Sequence, residues 1–169
     1  MSKDKILKLL DDCKLELGKA RHMLDLETFP IECHSYINNY LLIKVCSSVE
    51  QVCKNLLYFD LQQGCSSRTC SYLERVILRP TLNPSIKQIK ELLNRIDPNL
   101  KKLFSQKLKA LPDSDKIQKE FNSLVENRNF LAHGRCISVT LRDIENYFSS
   151  ASQVISALNN SLVTDITEI

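Results

Sequence analysis

The sequence predicts an all-α protein with four to five main helices and a short-helix insertion. Three observations carry this. Apolar residues recur at three- and four-residue steps along nearly the whole chain. Only three Gly and five Pro occur among 169 residues, which leaves room for long helices. The prolines, at 30, 80, 84, 98 and 112, fall at the joins between periodic stretches. The length suits a single domain, residues 1–169, with its own core.

The first helix is expected over roughly residues 3–25. Ile6, Leu10, Cys13, Leu17, Ala20 and Leu24 line one face, and Ser2 is placed to cap it. Pro30 breaks the chain, completing an N-terminal helix and connection over 1–30. The second helix runs from about Glu32 to Gln62 and stops at Gly64. Its apolar residues Tyr40, Leu41, Val45, Val49, Val52, Leu56 and Leu57 make it the expected central, buried helix. Residues 65–69 read as a loop that caps a short helix reaching Leu78. Pro84 suits the first position of a helix through Ile96, and Asp97-Pro98 starts another that reaches Ala110. Asp113 or Ser114 begins a helix that stops at Gly134. Thr140 and Asp143 have the spacing of a capping box, with Asp in place of Glu, ahead of the last helix. That helix has Ile144, Tyr147, Phe148, Ala151, Val154, Ile155 and Leu158 on its apolar side, and a frayed tail is expected over 163–169.

Composition narrows the function classes. The 43% hydrophobic and 25% charged content is that of an ordinary globular protein. No run of about 18 apolar residues is present, so no membrane partner is expected. The start, Met1-Ser2-Lys3-Asp4-Lys5, is charged and has no apolar signal region. Seven scattered cysteines fit reduced thiols in the cytoplasm better than a disulfide framework. No Cys-x-x-Cys pair or zinc-type spacing occurs, so no metal and no cofactor is expected. Cys136 lies near His133, but no third group is evident to orient a thiol nucleophile.

The most informative stretch is Asn127-Arg128-Asn129-Phe130-Leu131-Ala132-His133-Gly134. Ile117, Phe121, Leu124 and Leu131 form the apolar stripe of this helix, and Arg128 stands on the same stripe. An unpaired buried guanidinium would cost several kcal/mol at least, because it cannot shed its proton. A charge there is either paired or used. An ordinary histidine at a helix end is a surface residue or a partner of the helix dipole. An arginine on an apolar stripe is often held in a structural salt bridge. Glu50, beside Val49 and Val52 in the second helix, is the candidate partner. As a bare bridge, Glu50 would explain Arg128 without any catalysis.

The net charge of +3 hides an asymmetry. Residues 1–67 carry eight Lys/Arg against nine Asp/Glu, 68–119 twelve against five, and 120–169 three against six. A basic middle third beside an Arg–His pair suits a polyanion such as RNA, although on charge alone a solvated helix surface with no partner is the better reading.

The helix order and the sequence Asn127-Arg128-Asn129-x-x-x-His133-Gly134 resemble the HEPN superfamily of all-α proteins, and within it the RiboL-PSP-HEPN group. The stretches that carry the resemblance are Val49-Glu50-Gln51, Pro84-Ser85-Ile86, Arg95-Ile96-Asp97-Pro98, Leu124-Val125-Glu126-Asn127-Arg128-Asn129 and Thr140-Leu141. Together they span most of residues 30–160. The resemblance implies a HEPN-like helical bundle and a two-fold dimer that brings two motif helices face to face. It also implies a metal-independent endoribonuclease, of the kind used as toxins or effectors of antiviral defence, with RNA as substrate. An antitoxin or a larger defence-system partner goes with that reading. The alternative is a non-catalytic interaction or RNA-binding module that keeps the fold.

Under the ribonuclease reading, His133 is the general base or acid, since a histidine titrates near neutrality. Arg128 stabilises the phosphorane-like transition state, and Asn129 orients the histidine or the phosphate. Glu50 and Asn127 support them. Arg135, Lys101, Lys102, Lys107 and Lys109 guide RNA to the site. Residues five apart on a helix are separated by about 140° and about 7.5 Å, so one Arg–His pair is not tightly convergent. Two pairs related by a two-fold axis can surround one phosphate. Some HEPN toxins carry a modifiable Tyr two residues after the His. Arg135 stands there instead, so that control is not expected here.

Overall fold

A computed structural model describes residues 2–162 of the chain; the tail expected over 163–169 lies outside the described residues. Its helices are α1 (Lys3–Leu24), α2 (His34–Leu61), α3 (Ser67–Leu73), α4 (Ile86–Ile96), α5 (Pro98–Lys109), α6 (Ser114–Ala132) and α7 (Leu141–Leu162). A 3-10 turn at Ile31–Cys33 leads into α2, and a π turn at Glu74–Leu78 extends α3. No strand occurs among the described residues. The four long helices α1, α2, α6 and α7 make the bundle, and α3–α5 are inserted between α2 and α6.

The central helix is α2, as its composition requires. Leu41, Leu42, Val45, Cys46, Val49, Val52, Cys53, Leu56 and Leu57 are all at most 2% exposed. A helix apolar on most of its surface is stable only when surrounded. Here α1 packs on it along with α6 and α7, and α7 in turn covers α5. On α1, Ile6, Cys13, Leu17 and Ala20 are buried, while Leu10 and Leu24 are half-buried. An Arg21–Glu145 ion pair ties α1 to α7. Tyr40, expected among the buried residues of α2, is instead exposed, and its hydroxyl donates to Glu16 on α1 at 3.3 Å. The reason is angular. Tyr40 is about 100° from Leu41 around the axis, and its hydroxyl needs a polar partner.

Two helix starts differ from expectation. Ser66 caps α3 by accepting from the Thr69 amide, so the helix begins inside the stretch read as loop. Pro84 is not the first residue of α4. It lies buried just outside, and Ser85 is the cap, accepting from the Gln88 amide at 3.3 Å. The first helical amide, Ile86 N–H, donates to Asn122 Oδ1 on α6 at 3.1 Å. A proline at that first position would lose this bond, which joins the insertion to the bundle. Asp97 does cap α5, with Pro98 next, by accepting from Asn99 N–H at 2.8 Å. Ser2 occupies the cap position of α1, but its side chain makes no capping bond.

The Thr140–Asp143 capping box forms in full. Asp143 Oδ2 accepts from the Thr140 amide at 2.9 Å and from its hydroxyl at 2.6 Å, and Thr140 Oγ1 accepts from the Asp143 amide at 3.2 Å. These Thr140 bonds, the hydroxyl's first, hold the Asp143 carboxyl below the usual carboxylate range. A depressed folded-state pKa adds stability that is present above the unfolded value and lost as pH falls through the folded one. Asp143→Asn should therefore cost about 1 kcal/mol at neutral pH, with the gap narrowing as pH falls below the unfolded carboxyl's value of about 3.9 and through the lower folded one. Urea unfolding of both proteins between pH 7 and pH 3 checks this; a gap that persists unchanged in acid would contradict the assigned cause.

Candidate active site

The third long helix, α6, ends in a Schellman motif that fixes His133. Arg135 N–H donates to Phe130 O at 2.9 Å, and Gly134 N–H donates to Leu131 O at 2.9 Å. Gly134 adopts φ of +70°, the left-handed conformation this closure needs. His133 is the last residue before the reversal, with φ −94° and ψ 15°, and it is exposed. Apolar contact often closes such motifs, and here the Arg135 guanidinium lies over the Phe130 ring at 5.2 Å. Open space surrounds the Cβ position of Gly134, so strain alone opposes a side chain there. Gly134→Ala should thus cost roughly 1 kcal/mol in urea unfolding. A neutral result would show that the turn does not depend on glycine.

Arg128 lies one and a half turns back, facing α2. Its Nη2 is 3.8 Å from Glu50 Oε2, and the two side chains are 20% and 16% exposed. That is ion-pairing distance but too long for a hydrogen bond. Glu50's other oxygen, Oε1, is fully engaged: Lys54 Nζ donates to it at 3.0 Å and Leu82 N–H at 2.9 Å. Lys54 is itself buried. One carboxylate thus serves two cations and a backbone amide, and the cluster carries a net positive charge. Arg128 also lies against the thiol of Cys46, which burial pushes up despite the neighbouring guanidinium.

The sequence-derived candidates divide accordingly. Glu50 and Arg128 are brought together. His133 and Arg128 share the end of α6 but have no side-chain contact among the described residues. Asn127 Nδ2 reaches the Tyr147 hydroxyl at 3.4 Å, tying α6 to α7. Asn129 is half-buried, and its carbonyl accepts from the His133 amide at 3.1 Å. Lys101, Lys102, Lys107 and Lys109 are all exposed on α5. Sequence reading missed Lys54 and Cys46. Both stand four residues from Glu50 on the same helix face, so the spacing was visible. The Leu82 amide, brought in by the α3–α4 connection, left no mark in the sequence.

Among the described residues no group of three or more His, Cys, Asp or Glu is placed to hold a metal ion. None of the described helices is long and apolar enough to cross a membrane.

A helical bundle whose third long helix ends in Arg128, Asn129 and His133, set against a carboxylate from the second, has the form of a HEPN-type protein. The model of the RiboL-PSP-HEPN family matches residues 4–164, and the chain belongs to that family. The match takes in α1, which lies outside the stretch that carried the resemblance. No curated protein and no solved structure shows a significant match to the chain.

Proposed function

We propose that this protein is a metal-independent endoribonuclease, working as a two-fold dimer in the cytoplasm as a toxin or defence effector. The observation that carries the reading is how loosely Arg128 is held. Glu50 Oε1 is already engaged by Lys54 and Leu82, while Oε2 stands 3.8 Å from the guanidinium. The charge is offset enough to be kept near the core, yet the N–H donors are not consumed by the carboxylate. Apart from the contact with the Cys46 thiol, they remain for a phosphate oxygen. An exposed histidine at the same helix end supplies the proton transfer.

In this mechanism the ribose 2′-oxygen attacks the adjacent phosphorus and the bond to the 5′-oxygen breaks. His133 of one protomer takes the 2′-hydroxyl proton or gives one to the leaving 5′-oxygen, and its counterpart across the dimer takes the other role. Arg128 binds the non-bridging oxygens as charge builds, and Asn129 orients the histidine or the phosphate. The products are a 2′,3′-cyclic phosphate and a 5′-hydroxyl. DNA, which lacks the nucleophile, is not cut.

The Glu50–Lys54–Arg128 cluster also favours a second reading: a structural bridge inside a non-catalytic RNA- or protein-binding module, with or without an antitoxin-like partner. One experiment separates them. Purified protein is incubated in EDTA with single-stranded RNA, beside His133→Ala and Arg128→Ala. Cleavage that persists in EDTA, leaves cyclic phosphate ends and is lost in both variants supports the ribonuclease. No cleavage, or equal cleavage by the variants, favours the module.

A further inference from the structure

A second cationic feature lies away from Arg128. Helices α4, α5 and α6 border an open surface hollow of about 440 Å³ lined by Lys87, Lys90, Lys101, Asn122, Ile86 and Glu91. Lys87 is 4.0 Å from Glu91, a loose and exposed pair. Lys90 and Lys101 have no carboxylate at ion-pairing distance among the described residues. Burial first, then repulsion from Lys109 and Lys101, pulls the Lys90 ammonium below the usual lysine range. Glu91 is the only carboxylate of the lining among the described residues, and cations crowded with so little counter-charge are an electrostatic cost that a bound anion would reduce. Asn122 supplies a neutral donor. Its Oδ1 is taken by Ile86 N–H, which fixes the amide and leaves Nδ2 on the pocket wall.

Position adds direction to this. Asn122, Glu126, Asn129 and His133 follow at steps of four, three and four, so they share one flank of α6. Eleven residues of helix put Asn122 about 16 Å from His133 along that flank. We propose that the pocket walled by Lys87, Lys90, Lys101 and the Asn122 amide binds a backbone phosphate of an RNA strand. The strand lies along the α6 flank and reaches His133 a few nucleotides away. The direction toward His133 rests on the ribonuclease reading; the phosphate pocket itself does not. A strand of single-stranded RNA suits the geometry, because its phosphates recur along a flexible backbone and the pocket reads charge rather than base identity. Glu126, exposed on the same flank, works against a polyanion and sets a limit on affinity.

The test uses His133→Ala protein, so that RNA stays intact, and a short fluorescein-labelled single-stranded RNA read by anisotropy over a range of salt. Adding Lys90→Gln and Lys101→Gln should raise Kd on the order of tenfold near 0.1 M salt and lower the salt slope by about 0.7, from the one lost phosphate. Lys5→Gln with Lys8→Gln on α1 removes the same charge from an exposed surface and should change Kd less than about twofold. Glu126→Gln should lower Kd. Equal losses in both lysine pairs, no RNA binding at all, or a Kd indifferent to Glu126 would overturn the proposal. Displacement of the RNA by micromolar inorganic phosphate at fixed ionic strength would overturn it too, assigning the pocket to free phosphate. The outcomes separate from those of the cleavage assay. Binding that depends on Lys90 and Lys101 without any cleavage sinks the ribonuclease and keeps the pocket. Cleavage with a KM unmoved by the pair does the reverse.

Discussion

Glu50→Ala should destabilise the protein by about 3 kcal/mol, the largest loss expected from any single polar substitution in it. The substitution leaves Lys54 and Arg128 facing each other, both mostly buried, without the carboxylate between them. It also orphans the Leu82 amide, which costs about 1 kcal/mol or more of that total. Surface ion pairs contribute little, but these side chains are 10–20% exposed, so solvent screens them weakly. Urea unfolding at neutral pH measures the loss. A fall of under about 1 kcal/mol would mean that water reaches the cluster and that the charges are solvated rather than paired. Combining Glu50→Leu with Lys54→Met should recover part of the stability, since replacing both members of a buried pair by apolar groups is often nearly neutral. Arg128 limits that recovery, as it keeps a charge with no partner.

The second large effect is catalytic. If His133 transfers the proton, His133→Ala should slow RNA cleavage by about 10²–10⁴-fold, the range typical of a lost general acid or base. Its melting temperature should stay near that of the parent, because His133 is exposed and its side chain makes no hydrogen bond among the described residues. Arg128→Lys is the companion variant. It keeps the charge near Glu50 but loses the planar, two-point donor, so cleavage should fall by about 10²–10³-fold. Single-turnover rates on a labelled RNA, read beside thermal unfolding, separate the two causes. A His133→Ala protein that cuts at the parent rate ends the catalytic role, and an Arg128→Lys protein at the parent rate reduces the arginine to a charge.

Much of the fold was written in local signals. Chain order, the helix count of the bundle, the burial of α2 and the stop at Gly134 follow from periodicity and from where Gly and Pro fall. The Thr140–Asp143 box follows from spacing alone, because both partners lie within one helical turn. The errors share a cause. Pro84 suited a first helical position by its own geometry, yet the Ile86 amide was wanted by Asn122, thirty-six residues away. Tyr40 read as apolar, yet its direction around α2 pointed it to solvent and to Glu16.

The candidate site divides along the same line. Sequence by itself determined which residues stand out, an arginine on an apolar stripe and a histidine before a helix-ending glycine, and it named Glu50 as the partner. Only the tertiary structure decided how that partner is shared. The 3.8 Å separation of Arg128 from Glu50, the Lys54 bond and the Leu82 amide arise where α2, α6 and the α3–α4 connection meet. The lysine pocket likewise exists only because α4, α5 and α6 converge. Local sequence sets the conformation of each segment through short-range sterics and hydrogen bonds. The distances between charges on different segments are set by the packing of the whole core, which no local pattern encodes.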